Sequence, residues 1–487
     1  MKRIISIILA GMFLFVAAGC AQQEDIVEES YYDEAGEVIK GETVTETNSS
    51  KSTTVNKAQK ADKVGEVAYS YDISKAKMPS RTLKSKTITY YSWIEMESDS
   101  DSTNVLMQKE FGIKFKPILG QHANYWDTLA TLVASGKSPD LVIVPNWNFY
   151  PAPLVNNLLQ PLDDILDLES DLWEDTYAFN RELRWNNKTY YVLNDMLNDS
   201  WLYYNTKMFK NFGVEKTPKQ YFLEDNWTWD TLKEVADKFV TLNADGTNKT
   251  AGLCMQTYNL NATTGVNLVT TDGNSYQLNL KDPKITKLMN YIYSMGKSGS
   301  KSLIAANDAI SSYANGEVAM IITKEYALAG EAWKKVRNST EWVPMPKMDA
   351  NSDYYLECAL NPCPAIATGA KNVEGAALYI EFNHWLRLGY RPSTFLARNS
   401  NAAVEKYKLK DTSIASHLSK EEQEWTNTIF KKNNYKYSTI FWTSWMHSVN
   451  GSSQYPGMAD VINGRAWSAV LQEVYPVIDA GVKSYYK

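Results

Sequence analysis

The chain has 487 residues, a length that accommodates two or three domains. Hydrophobic residues make up 44% and charged residues 22%, which excludes a wholly disordered chain, a collagen and a coiled coil. The net charge of −6 lacks the basic excess of a dedicated nucleic-acid binder, so we predict no nucleic-acid partner.

The N-terminus has the pattern of an export signal. Lys2 and Arg3 are followed by residues 4–18, which are apolar apart from Ser6. This run is shorter than the ~20 residues that a transmembrane helix needs. No later segment approaches such a length, so we do not expect the mature protein to span a membrane.

The apolar run ends in Ala17-Ala18-Gly19-Cys20, which resembles a bacterial lipobox with Ala17 in place of the preferred leucine. We therefore predict that residues 1–19 are a lipoprotein signal peptide and that Cys20 carries the lipid. The mature protein would then be anchored to the cell membrane and face the extracellular side. An ordinary cleaved signal followed by an incidental cysteine is the alternative.

Residues 20–85 differ in composition from the rest of the chain. Nine acidic residues lie between Glu24 and Glu46, and a lysine-rich stretch follows at 51–63. Such sequence buries too little apolar surface to offset the entropy of ordering it. We predict a flexible tether that spans on the order of 45 Å.

The other three cysteines are Cys254, Cys358 and Cys363, and the sequence contains no CxxC pair. This excludes a zinc ribbon and a disulfide scaffold. Cys358 and Cys363 are near enough in sequence to pair, but two separate buried thiols are the interpretation that we favour.

The globular body begins near Lys86, where strand and helix patterns alternate. The predicted strands are 87–93, 113–118 and 140–144. The predicted helices between them are 101–111 and 126–135. This alternation is typical of βαβ units around a mostly parallel sheet. Helical patterns follow at 229–242, 284–295 and 374–388, and Asp245-Gly246 predicts a hairpin turn.

Catalytic motifs are missing from the sequence. It contains no HExxH zinc motif and no GxSxG elbow, and its two Gly-Lys-Ser triplets lack the upstream glycine of a phosphate-binding loop. No sequence context marks a histidine as catalytic, and the helical pattern around His384 predicts a structural role. We therefore predict no catalytic residue, no metal and no cofactor.

Acidic residues alternate with others between Glu95 and Asp101, and calcium prefers such oxygen ligands. An EF-hand loop would need Gly and Glu where Ser100 and Leu106 stand. A solvated helix start with favourable negative charge is the interpretation that we favour.

Aromatic residues are unusually abundant, with 15 Trp, 31 Tyr and 14 Phe. Several follow predicted strands, and open α/β sheets bind ligands outside the carboxyl ends of their strands. Flat rings cover the C–H faces of a sugar while polar side chains bond its hydroxyls. Core packing is the alternative, which we favour for Trp227 and Trp229. The aromatic ligand candidates are Trp93, Trp147, Tyr258, Tyr326, Trp442, Trp445 and Trp467.

Five stretches follow one another in a characteristic order. The first is 125–141, a predicted helix followed by Gly-Lys-Ser-Pro-Asp, and the second is Leu-Leu-Gln-Pro-Leu at 158–162. The third is 202–209 together with 227–232, the fourth is Asn-Gly-Glu-Val-Ala-Met at 315–320, and the fifth is 365–372. In this order, and with the lipobox, they resemble the extracellular solute-binding proteins of sugar ABC transporters, the group that includes maltose-binding protein. The resemblance covers about residues 86–487.

The resemblance implies an α/β fold of the two-lobed, periplasmic-binding-protein-like type II. Each lobe would be a mixed or mostly parallel sheet flanked by helices, and hinge crossovers would join the lobes. Lobe 1 would comprise 86–200 and about 360–390, and lobe 2 would comprise 205–355 and about 400–487.

The same resemblance implies a function. The lobes would close on a carbohydrate in the cleft and create the surface that an ABC transporter permease recognises. By position, it adds Asn146 and Gln256 to the pocket candidates. We expect a monomer without cofactors.

The chain departs from the family pattern in two places. Residues 190–195 stand where the family reads Tyr-Gly-Leu-Pro, and extra sequence lies around 390–440. A different pocket at either place would change the ligand.

Alternative functions stay open at this point. A peptide or another polar solute is the second ligand class. A secreted glycoside hydrolase would need two carboxylates about 5–10 Å apart, for which Glu95 and Asp195 are the conceivable pair. A surface adhesin or a sensor's accessory protein would bind a ligand without transport.

Overall fold

The computed structural model describes residues 75–145, 148–174, 176–198, 200–255, 259–271, 274–305, 308–324, 334–362, 364–388, 401–409, 418–432, 435–439, 445–446, 449 and 455–486. The predicted signal peptide, the lipidation site at Cys20 and the tether up to residue 74 lie outside these residues. Among the described residues, no helix combines the length and apolar character needed to cross a membrane.

The strands are β1 (Thr87–Ser92), β2 (Lys114–Leu119), β3 (Leu141–Val142), β4 (Leu193–Asn198), β5 (Ser200–Asn205), β6 (Thr241–Leu242), β7 (Asn248–Met255), β8 (Val269–Thr271), β9 (Tyr276–Leu278), β10 (Leu303–Ile304), β11 (Val318–Lys324), β12 (Thr340–Val343), β13 (Tyr355–Pro362), β14 (Ala365–Ile366) and β15 (Lys436–Thr439).

The α-helices are α1 (Thr103–Phe111), α2 (Tyr125–Ala134), α3 (Ala152–Val155), α4 (Tyr177–Glu182), α5 (Thr206–Asn211), α6 (Pro218–Leu223), α7 (Trp229–Asp237), α8 (Pro283–Met295), α9 (Ala309–Ala314), α10 (Val373–Arg387), α11 (Ala402–Tyr407), α12 (Lys420–Lys432), α13 (Met458–Ile462) and α14 (Trp467–Ser484). Single 3-10 turns lie at His122–Asn124, Asp171–Trp173, Asn259–Thr264 and Arg337–Ser339.

The first sheet has the strand order β14-β3-β1-β2, and β1 runs parallel to both β2 and β3. Its parallel βαβ arrangement is the predicted one. The edge strand β2 exposes Lys114, Lys116 and Pro117, which discourage pairing with another chain. On one side of the sheet, the long helix α10 packs against α1 and is buried along most of its length.

The strand β3 is shorter than predicted and covers only Leu141–Val142. Pro145 has no N–H to extend the ladder. At the other end, the backbone and side chain of Asp140 bond Thr89 and the start of α10. The helices preceding these strands end as predicted, because Gly112 and Gly136 adopt left-handed conformations with φ of 68° and 70°.

The second sheet has the strand order β10-β7-β11-β5-β12, with β6 paired to β7. Strand β7 is parallel to β11, whereas β5 is antiparallel to both β11 and β12. Helix α7 lies very close to β7, because a Cβ on Gly252 would stand 2.1 Å from the carbonyl oxygen of Ala236. Only glycine fits at this position.

The predicted helix 229–242 is too long, since α7 ends at Asp237. The last residues of the predicted helix instead form β6, which pairs antiparallel with β7. The turn between them uses Asp245, whose carboxylate accepts the Thr247 N–H at 2.9 Å, and Gly246, whose φ is 80°. The predicted hairpin turn is therefore confirmed.

Two chain crossings join the sheets. Strand β4 ends at Asn198 and β5 of the second sheet begins at Ser200, while β13 is followed in the chain by β14 of the first sheet. The two crossing strands pair antiparallel with each other, and β15 adds a third strand beside β13. The chain thus forms two α/β lobes joined by adjacent crossovers, which is the predicted architecture. Below, lobe 1 is the unit built on the first sheet and lobe 2 the unit built on the second.

The segment before β1 is docked on lobe 1. The Arg81 guanidinium donates to Glu381 at 2.8 and 2.7 Å and to Glu374 at 2.8 Å. The bond to Glu381 outweighs burial and keeps the pKa of Arg81 above its ordinary value. The Trp385 indole donates to the Ala76 carbonyl at 3.2 Å. The predicted tether of 20–85 thus includes residues that contact lobe 1, and its end stays a prediction.

The carboxylate of Asp140 joins β1 to the returning chain of lobe 1, and we call it the junction. It is 5% exposed and accepts four hydrogen bonds. One oxygen accepts the backbone N–H and the hydroxyl of Thr89 at 2.8 and 2.7 Å. The other accepts the backbone N–H groups of Lys371 and Asn372 at 2.9 and 2.7 Å. The junction thereby fixes the returning chain and the start of α10 to β1.

We predict that Asp140→Asn lowers the free energy of unfolding by about 2–4 kcal/mol, because an amide NH2 would face N–H donors inside the lobe. Denaturant melts followed by circular dichroism measure the loss. Asp164→Asn is the matched control, since Asp164 is exposed and its substitution should change little. Equal stability of the two variants would contradict the role of the junction.

Candidate functional site

The edge of the first sheet presents Trp93, which directly follows β1. Its half-buried indole makes an edge-to-face contact with Tyr125, with ring centroids 5.6 Å apart. Tyr125 is buried, stacks on Tyr91 at 4.5 Å and donates its hydroxyl to the Ile143 carbonyl at 2.7 Å. Because Tyr125 is fixed in this way, the orientation of Trp93 is fixed at the strand end.

The phenols beneath Trp93 are neutral at physiological pH. Burial raises the pKa of Tyr91 to about 12, and it raises the pKa of Tyr125 well above its ordinary value. The Tyr91 hydroxyl donates to the Tyr125 carbonyl at 2.7 Å. These groups act as hydrogen-bond donors that stiffen the edge of the sheet.

Trp126 joins Trp93 at this edge, and the sequence interpretation missed it. It lies in the first turn of α2, is half-buried and contacts Tyr125 edge to face at 5.3 Å. Its indole N–H has no hydrogen-bond partner within the described part of the chain. In the sequence, Tyr125 and Trp126 indicated only the start of a helix. A tryptophan at such a helix start, shortly after a strand, is a pattern that could have indicated a ring-binding edge. Trp93, Tyr125 and Trp126 form the lobe 1 platform.

Exposed carboxylates follow Trp93 of the platform in the chain. Glu95 and Glu97 are exposed, and the Asp99 carbonyl accepts the Ser102 backbone and hydroxyl at 3.1 and 2.8 Å at the start of α1. The acidic run is therefore a solvated helix start, as predicted. It also leaves Glu95 close in sequence to Trp93, where a carboxylate can accept hydrogen bonds from a solute.

The loop after β3 carries two of the predicted ligand residues, Asn146 and Trp147, which lie outside the described residues. The next described residue is Asn148, which is half-buried and has a φ of 49°. The backbone after it is held in place, because the Tyr191 hydroxyl donates to the Phe149 carbonyl at 2.5 Å. Both ends of the segment that bears Trp147 are thus held against lobe 1.

Strands β7 and β11 end side by side at one edge of the second sheet. Met255 and Ile322 are paired in register, so the parallel strands end side by side. The segments that leave this edge carry Gln256, Tyr258 and Tyr326, which lie outside the described residues. The backbone topology therefore places the starts of both segments next to each other.

The remaining aromatic candidates lie elsewhere. Trp442 is outside the described residues. Trp445 is 0% exposed and Trp467 is 2% exposed, so neither offers an open ring face. Their burial favours core packing, the alternative that we considered for the aromatic residues. Trp227 and Trp229 are also buried, and their N–H groups donate to the Pro344 carbonyl and the Thr263 hydroxyl at 2.9 Å. The predicted core position of these two residues is confirmed.

The described residues give little support to a metal site or to a catalytic histidine. They contain no group of three His, Cys, Asp or Glu side chains arranged to hold a metal ion. His384 is fully buried in α10 and stacks on Trp173 at 4.5 Å, which confirms its structural position. Asp195 lies in the crossover strand β4, opposite Asn361. Its side chain lies outside the description, so the Glu95–Asp195 pair stays a hypothesis.

A sequence model described as bacterial extracellular solute-binding protein matches residues 107–383. The chain belongs to this family. The match covers more than half of the chain and includes β2, β3 and β14 of the first sheet, both crossings and most of α10. No curated protein sequence matches the chain.

Solved structures show the same two-lobed, periplasmic-binding-protein-like fold. The chain is similar to an extracellular solute-binding protein from Staphylococcus aureus in complex with maltose, with a TM-score of 0.56, 14% identity and coverage of 83% of this chain and 100% of that one. It is similar to a cyclo/maltodextrin-binding protein complexed with maltotetraose, with a TM-score of 0.55, 17% identity and coverage of 84% and 100%. It is also similar to an ABC substrate-binding protein from Listeria monocytogenes in complex with cycloalternan, with a TM-score of 0.51, 15% identity and coverage of 82% and 98%.

We predict that Trp126→Ala costs much less stability than Trp227→Ala. Trp126 is half-buried at a sheet edge, whereas removing the fully buried Trp227 should cost about 3–5 kcal/mol. Denaturant midpoints of the two variants make the comparison. A loss at Trp126 as large as that at Trp227 would assign Trp126 to the core.

Proposed function

We propose that this solute-binding protein captures a carbohydrate, most simply an oligosaccharide, in an aromatic-lined cleft between its lobes. The observation that carries the proposal is the lobe 1 platform, in which packed rings lie at the carboxyl end of β1 and exposed carboxylates follow Trp93 in the chain. Rings cover the apolar faces of a sugar, and carboxylates accept its hydroxyls.

The ligand residues proposed for the cleft combine the platform with the strand-end segments. Trp93, Asn146 and Trp147 would contact the sugar from lobe 1, and Gln256, Tyr258 and Tyr326 from lobe 2. Trp126 is added to this set and Trp442 is a second-rank candidate, whereas Trp445 and Trp467 are left out because their rings are buried. The maltose, maltotetraose and cycloalternan of the similar structures support a sugar as the solute.

The proposed cellular role is delivery of the sugar to an ABC transporter permease. The protein would act as a monomer anchored through lipid at Cys20, outside the cell membrane. Lobe 1 would comprise residues 86–200 and about 360–390, and lobe 2 residues 205–355 and about 400–487. Closure of these lobes would create the surface that the permease recognises.

We predict that Trp147→Ala weakens sugar binding by about 2–4 kcal/mol, as expected for a central aromatic anchor. Isothermal titration of an oligosaccharide that binds the unaltered protein provides the measurement. Phe212→Ala is the control, because Phe212 is partly exposed on lobe 2 and packs on Phe239, away from the strand-end segments. Unchanged affinity in Trp147→Ala would remove this residue from the pocket.

We predict that Cys20→Ser releases the protein from the membrane fraction, because the serine cannot form the thioether to diacylglycerol. Immunoblots of fractionated cells show the distribution. Cys254→Ser is the matched control, since Cys254 is buried in β7 and should not affect anchoring. A native Cys20 with a free thiol in mass spectrometry would contradict the anchor.

We predict no turnover of the bound sugar, because the solute-binding relatives are binding proteins and the sequence contains neither an HExxH nor a GxSxG motif. Chromatography after long incubation with a bound oligosaccharide tests this. Shorter products that disappear in Glu95→Gln would instead favour the hydrolase alternative.

A further inference from the structure

Five aromatic side chains form a continuous packed group, which we call the seam: Tyr150, Trp185, Trp445, Tyr485 and Tyr486. Tyr150 and Trp445 are fully buried and Trp185 is 4% exposed. The Trp445 ring stacks on Tyr486 at 6.1 Å and meets Tyr150 at 5.4 Å. Trp185 lies 4.9 Å from Tyr486 between ring centroids.

The lobe 1 side of the seam is rigid. Trp185 opens a two-residue turn whose Asn186 and Asn187 have φ of 48° and 59°. Trp185 and Lys188 exchange two backbone hydrogen bonds of 2.9 Å, which closes the hairpin. The Tyr150 hydroxyl donates to the Arg184 carbonyl at 2.9 Å. Both lobe 1 rings are therefore held before the chain enters the crossover β4.

The other side of the seam belongs to lobe 2. Helix α14 packs against α8 and the β8–β9 hairpin. Beyond its end, Tyr486 hydrogen-bonds through its hydroxyl to Thr271 at 2.6 Å and packs on Tyr276 at 5.1 Å. Tyr276 in turn donates to the Asp479 carboxylate of α14 at 3.1 Å. Tyr486 thus touches lobe 2 directly while its ring meets Trp185 of lobe 1.

The seam is connected to the proposed cleft through the chain. Tyr150 closely follows Trp147, and Trp445 closely follows Trp442. The ring contacts of Tyr150 and Trp185 with Trp445 and Tyr486 join lobe 1 to lobe 2. They therefore restrict how far the two lobes can separate.

We propose that Tyr486 is a latch that holds the lobes together in the ligand-free protein and thereby raises its affinity for the solute. The affinity part rests on the proposed function; the latch itself does not. The apparent dissociation constant of a two-state binder equals the intrinsic constant divided by the fraction of competent molecules. A latch that increases the closed fraction tightens binding without touching the ligand.

Small-angle X-ray scattering of the ligand-free mature chain tests the latch directly, with Cys20→Ser in every sample so that the chain is soluble. Tyr486→Ala should have a larger radius of gyration than the parent. Trp185→Ala should expand it similarly, and the double variant should expand it no further, because both changes break one contact. Val477→Ala, on the exposed face of α14, should leave the profile unchanged. Superimposable profiles of the parent and Tyr486→Ala would overturn the proposal.

Two further measurements distinguish loss of the ring contacts from loss of the hydroxyl or of the fold, and test the effect on affinity. Tyr486→Phe keeps the ring contacts and should scatter like the parent, while circular dichroism verifies that each variant is folded. With maltotetraose as the probe, the dissociation constant of Tyr486→Ala should be about tenfold higher than that of the parent. An equal constant despite expansion would overturn the coupling to the cleft. A parent that does not bind maltotetraose would count against that sugar, and scattering would still decide the latch.

Discussion

The four hydrogen bonds at the Asp140 carboxylate determine the geometry of lobe 1 beside the proposed cleft. They join β1, the start of β3 and the returning chain at Lys371 and Asn372. The residues that they join are separated by up to 232 positions in the sequence. Because β1 and the returning chain both donate to the buried carboxylate that precedes β3, β1 and β3 are fixed relative to each other. Trp93 follows β1 in the chain, and the loop that bears Trp147 follows β3.

Two connections between the lobes are prominent in the described part of the chain, and they suggest how the protein can move. The crossovers β4 and β13 pair with each other, so the lobes can rotate about this ribbon while each sheet stays intact. The seam is a second connection, made of side chains instead of backbone. Since ring contacts break more easily than a paired ribbon, the seam is the connection whose formation can change during closure.

Local patterns predicted much of the fold correctly, because they depend on residues close in sequence. Gly112 ends α1 and Gly136 ends α2 through backbone conformations that glycine favours. The predicted helix from Trp229 failed at its end, because the hairpin turn at Gly246 draws residues 241–242 into a strand. Here tertiary pairing overrides helix propensity.

The candidate site was less predictable, because burial depends on distant partners. Trp445 follows polar residues in the sequence, as a ligand contact would, yet its ring packs on Tyr150 and Trp185. Arg81 lies in a segment that resembles a tether in composition, yet it bonds Glu381, 300 positions away. Trp126 was hidden by a correct helix prediction, since its place at the sheet edge depends on how Tyr125 packs under β1.

The most direct test of the account is a binding measurement on the unaltered protein, a thermal-shift screen of oligosaccharides against peptides of similar size. A solute at 100 times its dissociation constant should stabilise the folded state by about 2.7 kcal/mol, which is readily seen as a shift in melting temperature. The account predicts that one or more oligosaccharides produce such a shift and that the peptides do not. A shift with peptides and none with any oligosaccharide would contradict it.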